Sequence, residues 1–334
     1  MRVLILGGTG LISVGIVKHL LARGADVTMF NRGQRDASQL PNGVKQLTGD
    51  RNELETFERR FTSEHFDVVI DMIGFTPGQA ASDVRAFGGR CTQFIFCSTV
   101  CTYGTKIPAG VVIDESFPQE PTSEYGRNKL ASERIILDAQ RGGAFMATVI
   151  RPSSTYGEGS PLIDQLEPNA AAWDRVASGH PVLVADDGLG LWNATHRDDV
   201  GKLFAYAALN AKTYGKSYNA TTQRIFTWRD YYREAAAALG TTAKLISMPA
   251  DWIVAREPKR FQLLAEITRY HGPYTSAAAM ADVPEFRCEV DFTTGAKRTL
   301  DDLKRRNAWR GGPDATYDAM VAAALDAGAA VGEA

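Results

Sequence analysis

Two residues of types that move protons in enzymes, Tyr125 and Lys129, stand four positions apart in the stretch SEYGRNKLASE. On a helix this spacing places both side chains on one face, close enough for the ammonium to act on the phenol. Lowering the pKa of a phenol from about 10 to about 7 requires roughly 4 kcal/mol. One unit charge about 4 Å away supplies that amount at an effective dielectric constant of about 20, but only about 1 kcal/mol in water. We therefore expect the pair to lie in a cleft that is partly closed to solvent.

A hydroxyl side chain precedes this pair in the stretch FIFCSTVCTYG, at the end of an apolar run. A Ser or Thr in that position can hydrogen-bond both a substrate oxygen and the phenol. A tyrosine and a lysine four residues apart are, by themselves, also common on solvated helices. The hydroxyl, together with a glycine-rich turn further upstream, favours a role in proton transfer over the solvated helix.

The glycine-rich stretch VLILGGTGLIS, residues 3–13, supplies a second candidate site. An aliphatic strand that stops at Gly7 and a helix that begins near Leu11 leave a short turn between them. Glycine lets a ligand approach the backbone there, and the helix N-terminus offers free N–H groups. The third glycine of the nucleotide-binding fingerprint falls on Ser13, which is small but is not a glycine. A tight turn without a ligand is the alternative to a pyrophosphate site built from Gly7, Thr9, Gly10, Leu11 and Ile12.

The residue that ends the second strand indicates which dinucleotide binds, because an Asp or Glu there holds the ribose hydroxyls of NAD. This chain has Asn31 and Arg32 in the stretch TMFNRGQR. Without a carboxylate nothing repels a 2′-phosphate, and Arg32 with Arg35 can pair with one. We therefore expect NAD or NADP, with a preference for NADP, although two solvated arginines are an equal alternative. Asp50 and Arg51 are expected to line the adenine pocket, or else to form a salt bridge in a loop.

Short apolar runs alternate with amphipathic stretches, which predicts repeated strand–helix units. The predicted strands are 2–6, 26–30, 67–71, 93–97 and 146–150, and the predicted helices are one from near Leu11 to Gly24 and three at 53–61, 78–87 and 125–141. This pattern is typical of an α/β fold with a doubly wound parallel sheet, the Rossmann fold. We assign residues 1–165 to a dinucleotide-binding domain, which also receives a returning segment near 190–222. Residues 166–334 are expected to form mainly a smaller, mostly helical substrate-binding cap.

The composition argues against several classes of protein. The chain has 334 residues with a formal net charge of −2, which gives no electrostatic reason to expect nucleic acid or an anionic membrane as a partner. No apolar stretch approaches the roughly 18 residues of a membrane span, and the start MRVLILGG lacks the features of a signal peptide. We therefore expect a cytoplasmic protein. The four cysteines and five histidines show no metal-ligand spacing, so we expect no metal site.

Together these stretches resemble the extended short-chain dehydrogenase/reductases, the NAD-dependent epimerase/dehydratase family, of which the chain looks like a divergent member. The likeness covers most of the chain, through GGTGLIS, FIFCSTVCTYG, YGRNK and IRPSSTYGEG, and more loosely through THRDDVGKLFAYAA and DFTTGAKRTLDDL. The resemblance implies that Tyr125 is the catalytic acid/base and that Lys129 lowers its pKa and holds the nicotinamide ribose. Counting back from the YG pair implies that Thr99 supplies the active-site hydroxyl, with Ser98 as the alternative. It also implies that Pro152 lies near the nicotinamide.

The chain departs from the family where a nucleotide-sugar substrate binds. Such enzymes often carry an Arg just before the H-x-D-D signature, where it clamps the diphosphate, but this chain has Leu191 and Trp192 there. An indole does not pair with a diphosphate, so we expect Trp192 either to stack on a sugar ring or to pack in the core. Asp198, within the signature, is interpreted as a helix N-cap.

Two function classes follow from the resemblance. It implies an NAD(P)-dependent epimerase or dehydratase that acts on a secondary alcohol or ketone of a sugar or sugar nucleotide. A dehydrogenase or reductase of a non-nucleotide sugar, a sugar acid or another small alcohol is the first alternative. The second alternative is a non-catalytic dinucleotide-binding protein associated with RNA, as some divergent relatives are.

The only locally basic stretch, LKRRNAWRGG at 303–312, bears on the RNA alternative, although a solvated helix end also explains it. The complete set of Thr99, Tyr125 and Lys129 favours an enzyme instead. Relatives often pair through the helices that carry the tyrosine, so the resemblance also implies a homodimer. We expect the other partner to be a small carbohydrate-like substrate.

Overall fold

The computed structural model describes residues 1–34, 40–108, 110–309 and 312–334. The strands in these residues are β1 (Arg2–Leu6), β2 (Asp26–Asn31), β3 (Lys45–Thr48), β4 (Phe66–Asp71), β5 (Cys91–Cys97), β6 (Met146–Pro152), β7 (Ser154–Tyr156), β8 (Val182–Ala185), β9 (Leu191–Trp192), β10 (Ala194–His196), β11 (Lys216–Ala220), β12 (Phe226–Thr227), β13 (Lys244–Met248) and β14 (Val331–Glu333). The α-helices are α1 (Leu11–Ala22), α2 (Leu54–Arg60), α3 (Pro77–Phe87), α4 (Glu124–Arg141), α5 (Ala171–Ala177), α6 (Arg197–Ala207), α7 (Trp228–Ala238), α8 (Ala250–Arg256), α9 (Ala277–Asp282), α10 (Phe292–Arg305) and α11 (Ala315–Asp326). Short 3₁₀ helices cover Val100–Tyr103 and Ala211–Thr213, and a π-helical turn covers Leu264–Thr268.

A parallel sheet lies at the centre of the N-terminal half, and within the described residues it has seven strands in the order β11-β6-β5-β4-β1-β2-β3. The five strands predicted from the apolar runs are all present, each within two residues of its expected ends. The patterns missed the edge strand β3, whose sequence KQLT is short, polar and mostly exposed. An edge strand buries little surface, so it leaves no apolar run to detect.

Helices cover both faces of this sheet, which confirms the doubly wound fold. The alternation along β1 separates the two layers, because successive side chains of a strand point to opposite faces. Val3 and Ile5 pack in the cluster that includes α1 and α6, while Leu4 and Leu6 pack in the cluster that includes α3 and α4. Both faces of β1 are therefore buried, as a central parallel strand requires.

The chain returns to this layer after leaving it. Helix α6 packs along α1, and β11 adds to the sheet beside β6. Helix α9 lies against β11 and contributes to the same apolar cluster. We propose that residues 1–165 with the segment 190–222 form the dinucleotide-binding domain and that 166–334 form mainly the cap.

The C-terminal region is mostly helical, as expected, but it also contains small sheets that the sequence did not indicate. Strands β8, β13 and β14 form one sheet, and β9 pairs with β12. An aromatic cluster fills its core, made by Trp173, Trp192, Trp228, Tyr231, Tyr232, Phe226 and Phe292. No helix in the described part of the chain is both long and apolar enough to cross a bilayer.

Helices α1 and α6 cross at two glycines. A Cβ added to Gly15 would lie 2.4 Å from the carbonyl oxygen of Arg197, and one added to Gly201 would lie 2.3 Å from the carbonyl carbon of Gly15. Ser13 does not interfere with this contact, because its hydroxyl donates a hydrogen bond of 2.9 Å to the carbonyl oxygen of Gly7. The close approach of α1 to its neighbour therefore depends on Gly15 and Gly201 rather than on the fingerprint position.

A methyl group at Gly201 has to displace the backbone of α1, and overpacking of this kind costs about 1–3 kcal/mol. We expect Gly201→Ala to lower the free energy of unfolding by that amount in a denaturant titration. The matched control is Gly78→Ala on α3, where the nearest atom to an added Cβ is 3.9 Å away. That variant should be neutral or more stable by up to about 1 kcal/mol, because Ala is the better helix former. Equal stabilities of the two variants would contradict the close contact.

Candidate active site

A cleft of about 750 Å³ opens at the carboxyl ends of the parallel strands. It lies where β1 and β4 are neighbours and the strand order reverses, which is where doubly wound sheets bind ligands. The lining comes from the segments that follow β1, β2, β3, β4, β5 and β6. Its size is within the range of small-molecule and cofactor sites.

The glycine-rich turn forms one wall of the cleft, and all five residues predicted for the pyrophosphate site line it: Gly7, Thr9, Gly10, Leu11 and Ile12. Gly7 has a φ of 85°, and a Cβ there would lie 2.3 Å from the side chain of Ile73. Gly10 caps α1 without a side-chain hydrogen bond, and no acidic residue occupies the first turn. The N–H groups of this turn are therefore available to an anion, which fits the pyrophosphate of a dinucleotide.

Asn31 and Arg32 line the cleft where β2 ends. The side-chain oxygen of Asn31 accepts a hydrogen bond of 2.7 Å from the N–H of Gly33. Its amide nitrogen is buried and has no hydrogen-bond partner among the described residues. Arg32 is exposed. Arg35, the second arginine expected at a 2′-phosphate, lies outside the described residues.

Asp50 and Arg51 also line this end of the cleft. The Arg51 guanidinium is buried, 2.8 Å from Asp83 Oδ2 on α3, and donates a hydrogen bond of 2.6 Å to the carbonyl oxygen of Gln79. Burial and the charge of Asp71 hold the pKa of Asp83 well above its usual range. Arg51 thus both lines the cleft and forms an ion pair that fastens the loop after β3 to α3.

The predicted catalytic side chains come together at the opposite end of the cleft: Ser98, Thr99, Tyr125 and Lys129, with Pro152 beside them. The hydroxyl of Thr99 accepts the N–H of Cys101 and so caps the 3₁₀ helix. Gly126 allows α4 to pack on that helix, because a Cβ there would lie 2.6 Å from the carbonyl oxygen of Cys101. This contact brings the start of α4, with Tyr125, next to Thr99.

Lys129 does not take the position that its spacing from Tyr125 suggested. Its ammonium donates hydrogen bonds to the carbonyl oxygens of Gly74, at 2.8 Å, and Cys97, at 2.7 Å. It lies 5.9 Å from the ring centre of Tyr125 and closer to two other rings, those of Phe75 and Phe96, at 5.0 and 4.8 Å. The ammonium of Lys129 therefore lies closer to the faces of Phe75 and Phe96 than to that of Tyr125.

The electrostatics of this arrangement differ from the expected lowering of the Tyr125 pKa. Partial burial raises the pKa of Tyr125 above its usual value, although 44% of the residue's surface is exposed, and the neighbouring Thr99 hydroxyl lowers that pKa only in part. Burial also lowers the pKa of Lys129. The spacing of four residues placed both groups on one face of α4, but the two backbone carbonyls bind the ammonium and direct it away from acting on the phenol.

The sequence analysis did not identify Phe75 as a cleft residue, and it gave Ser98 only as an alternative to Thr99. Phe75 has 48% of its surface exposed although it lines the cleft beside Lys129. The available signal was its place after β4, because loops at the carboxyl ends of neighbouring strands meet at the same edge. Ser98, our alternative hydroxyl, is 2% exposed, and its oxygen has no hydrogen-bond partner among the described residues.

Trp192 and Asp198 lie elsewhere. Trp192 packs in the core of the cap with its ring centre 4.9 Å from that of Trp228, and it is not among the residues that line the cleft. The structure therefore favours the core position over stacking on a sugar. The N-cap of α6 is His196, whose Nδ1 accepts the N–H of Asp198, so our interpretation of Asp198 as the cap is wrong. The Asp198 carboxylate instead pairs with Lys18 at 2.7 Å.

The cations of the basic stretch at 303–312 have partners where the stretch is described. Arg305 and Arg306 both pair with Asp302 on their own helix, and Lys304 lies over the ring of Trp309. Arg310 and Gly311 lie outside the described residues. The described part of this stretch therefore gives little support to the RNA alternative.

Comparisons with known proteins show the family to which this chain belongs. The model of the NAD dependent epimerase/dehydratase family matches residues 3–87 and 80–221. The 2′-dehydrokanamycin reductase of Streptomyces kanamyceticus is 32% identical over 81% of this chain and 75% of its own length. The chloroplast stem-loop binding protein of 41 kDa b of Arabidopsis thaliana is 26% identical over 96% of this chain and 84% of its own.

Among solved structures, the UDP-glucose 4-epimerase of Thermus thermophilus, in complex with NAD, superposes with a TM-score of 0.71. It is 22% identical, and the match covers 91% of this chain and 99% of that one. The family match spans more than half of this chain, and the reductase relative is similar over most of its length. The chain therefore belongs to the NAD dependent epimerase/dehydratase family and is an NAD(P)-dependent enzyme of the extended short-chain dehydrogenase/reductase type.

Proposed function

We propose that this enzyme reduces a ketone, or oxidises the matching secondary alcohol, on a carbohydrate-like substrate that carries no nucleotide diphosphate. The sequence placed epimerases and dehydratases first and such a reductase second. We now place the reductase first because of the charge pattern of the cleft. Arginines line its dinucleotide end, whereas hydroxyl groups line the end with Tyr125.

A substrate diphosphate needs a cation with free donors, and Arg is the usual choice. Among the described residues of the cleft, the cation near Tyr125 is Lys129, whose ammonium is bound by two carbonyls. The segment before α6 supplies Leu191 and the buried Trp192 instead of an arginine. In the adjoining cap, Arg224 pairs with Glu234, and Arg229 donates to the carbonyl oxygen of Asp187.

The protonation of Tyr125 is compatible with net reduction. A phenol whose pKa is not lowered below its usual value of about 10 is protonated at neutral pH, so it can give a proton to a ketone oxygen that becomes an alcohol. Thr99 lies beside it to hold the same substrate oxygen. The relative from Streptomyces kanamyceticus, named as a reductase, points in the same direction.

A dinucleotide supplies or takes the hydride when it is bound. The residues present fit it. Gly7 carries no side chain where the turn lines the cleft, and the first turn of α1 has free N–H groups. Lys129 uses two of its three N–H groups on carbonyls, which leaves one for a ribose hydroxyl. We also propose that NADP is the preferred form, because Asn31 replaces the usual carboxylate and Arg32 lines the cleft beside it.

The stoichiometry of the cofactor tests the reaction type. With a panel of keto sugars, we expect one reduced dinucleotide to be consumed per product, followed by absorbance at 340 nm. Tyr125→Phe should lower kcat by about 10²- to 10⁴-fold, the usual contribution of a general acid, with cofactor affinity unchanged. Tyr270→Phe, which removes a partly exposed hydroxyl in the cap, is the matched control. Interconversion of UDP-glucose and UDP-galactose without net cofactor change would instead identify an epimerase, and full turnover by Tyr125→Phe would refute its role.

Fluorescence titration with NADPH and NADH tests the cofactor preference. A hydrogen bond between charged groups contributes about 1.5–3 kcal/mol, so Arg32→Ala should weaken NADPH binding by about 10- to 100-fold and leave NADH binding unchanged. Arg60→Ala, an exposed arginine on α2, is the control for a general change in charge. Tighter binding of NADH than of NADPH by the unmodified enzyme would overturn the preference.

A further inference from the structure

A buried network of hydrogen bonds lies directly behind the catalytic side chains. Glu133 on α4 accepts two hydrogen bonds from the Arg151 guanidinium, at 2.9 and 2.7 Å. Arg151 also donates to the hydroxyl of Tyr103 at 2.9 Å, and Tyr103 donates to the side-chain oxygen of Asn219 at 2.8 Å. All four residues are buried, with at most 4% of their surface exposed. We call this set, Glu133, Arg151, Tyr103 and Asn219, the Glu133 network.

Each of three members is attached to a different catalytic element. Glu133 lies one helical turn beyond Lys129, which lies one turn beyond Tyr125, so all three share a face of α4. Tyr103 ends the 3₁₀ helix that Thr99 caps. Arg151 immediately precedes Pro152 on β6. The network therefore joins the supports of every group expected around the nicotinamide.

Stability alone does not account for such a network. Two buried charges lose their hydration, and replacing a buried ion pair by apolar residues of similar volume is often neutral or stabilising. What the pair provides is fixed geometry, because a bidentate guanidinium–carboxylate contact sets both distance and orientation. Burial raises the pKa of Tyr103 to about 12, so its hydroxyl stays protonated and continues to donate to Asn219.

The fourth member extends the network to the cap. The Asn219 amide donates to the carbonyl oxygen of Thr275 at 3.2 Å, and the backbone N–H of Asn219 donates to Glu115 at 2.7 Å. Ile113 and Tyr274, close in the chain to these two partners, form a β-bridge between the loop before α4 and the cap. The network thus reaches from α4 to the bridge between the loop before α4 and the cap.

We propose that Glu133, Arg151 and Tyr103 are positioning residues, which fix Thr99, Tyr125 and Lys129 relative to the nicotinamide end of the cleft. The expected effect on turnover rests on the proposed function. The expected effect on binding does not, because Lys129 and Pro152 lie at the nicotinamide end, whereas the adenine end is built by the loops after β2 and β3. A loosened network therefore weakens the binding of a whole dinucleotide more than the binding of its adenine half.

Tyr103→Phe removes one hydroxyl from the network, and Tyr231→Phe is its matched control. Tyr231 is also buried, and its hydroxyl donates one hydrogen bond, to the carbonyl oxygen of Ile163 in the cap. We expect similar losses of thermal stability in both variants. Only Tyr103→Phe should raise the ratio of the Kd of NADPH to that of adenosine 2′,5′-bisphosphate, by several-fold. The same holds for NADH against AMP, so the result does not depend on which dinucleotide is preferred.

Turnover gives the second measurement. A displacement of the reacting groups by about 1 Å can cost about 100-fold in rate, so Tyr103→Phe should lower kcat by about 10- to 100-fold with little change in the KM of the ketone. The double variant Glu133→Leu with Arg151→Met should be about as stable as the unmodified enzyme, as apolar replacements of buried pairs often are. Its binding ratio should nevertheless be raised and its kcat lowered.

Three outcomes separate the failure of the network from the failure of the proposed function. If Tyr103→Phe and Tyr231→Phe give the same binding ratio, the network is merely structural and the proposal is overturned. The double variant overturns it as well if both its binding ratio and its kcat equal those of the unmodified enzyme. If no ketone is reduced by the unmodified enzyme, the proposed function fails, while the binding ratios still decide the role of the network.

Discussion

The burial of one ammonium group constrains the whole catalytic end of this enzyme. Lys129 is almost without contact with water, so its charge has to be satisfied by protein groups. The carbonyl oxygens of Gly74 and Cys97 do this. Cys97 ends β5, and Gly74 lies in the loop after the neighbouring strand β4. Helix α4 is thereby held against the carboxyl ends of β4 and β5, next to the point where the strand order reverses. The positions of Thr99 and Tyr125 follow from that attachment.

The sequence predicts the parts of the structure that depend on local pattern. Aliphatic runs indicate the central strands, and the glycines that follow Leu6 indicate the turn that lines the cleft. Non-local burial was not predictable in the same way. In the sequence, Trp192 is open to two interpretations, a platform for a sugar ring and the more common core residue, and its contact with Trp228, distant in the chain, distinguishes them. The edge strand β3 was not predicted for the opposite reason: its polar side chains bury almost no surface, so they leave no apolar pattern.

The pKa of Tyr125 shows why a spacing argument was insufficient. Four residues along a helix place two side chains on one face, but they do not say which acceptors compete for the ammonium. Every residue carries a carbonyl oxygen, so the partners of Lys129 have no signature in the sequence. The ammonium, 5.9 Å from the ring centre of Tyr125, does not lower the pKa of the phenol, and partial burial raises it. The sequence pattern predicted where Tyr125 and Lys129 lie, whereas the pKa of Tyr125 depends on surrounding atoms that only the structure shows.

The distribution of charge along the cleft distinguishes the two molecules that must bind side by side. Arg32 and the free N–H groups of α1 lie at the end of the cleft where we propose that a dinucleotide places its phosphates. Hydroxyl groups and a neutral phenol surround the place left for the substrate. A second diphosphate would find no free cation among the described residues there, whereas a polyhydroxy ketone finds donors suited to its oxygen atoms. The cleft thus favours phosphate at one end and carbohydrate at the other, and this asymmetry supports a simple sugar-like substrate over a nucleotide sugar.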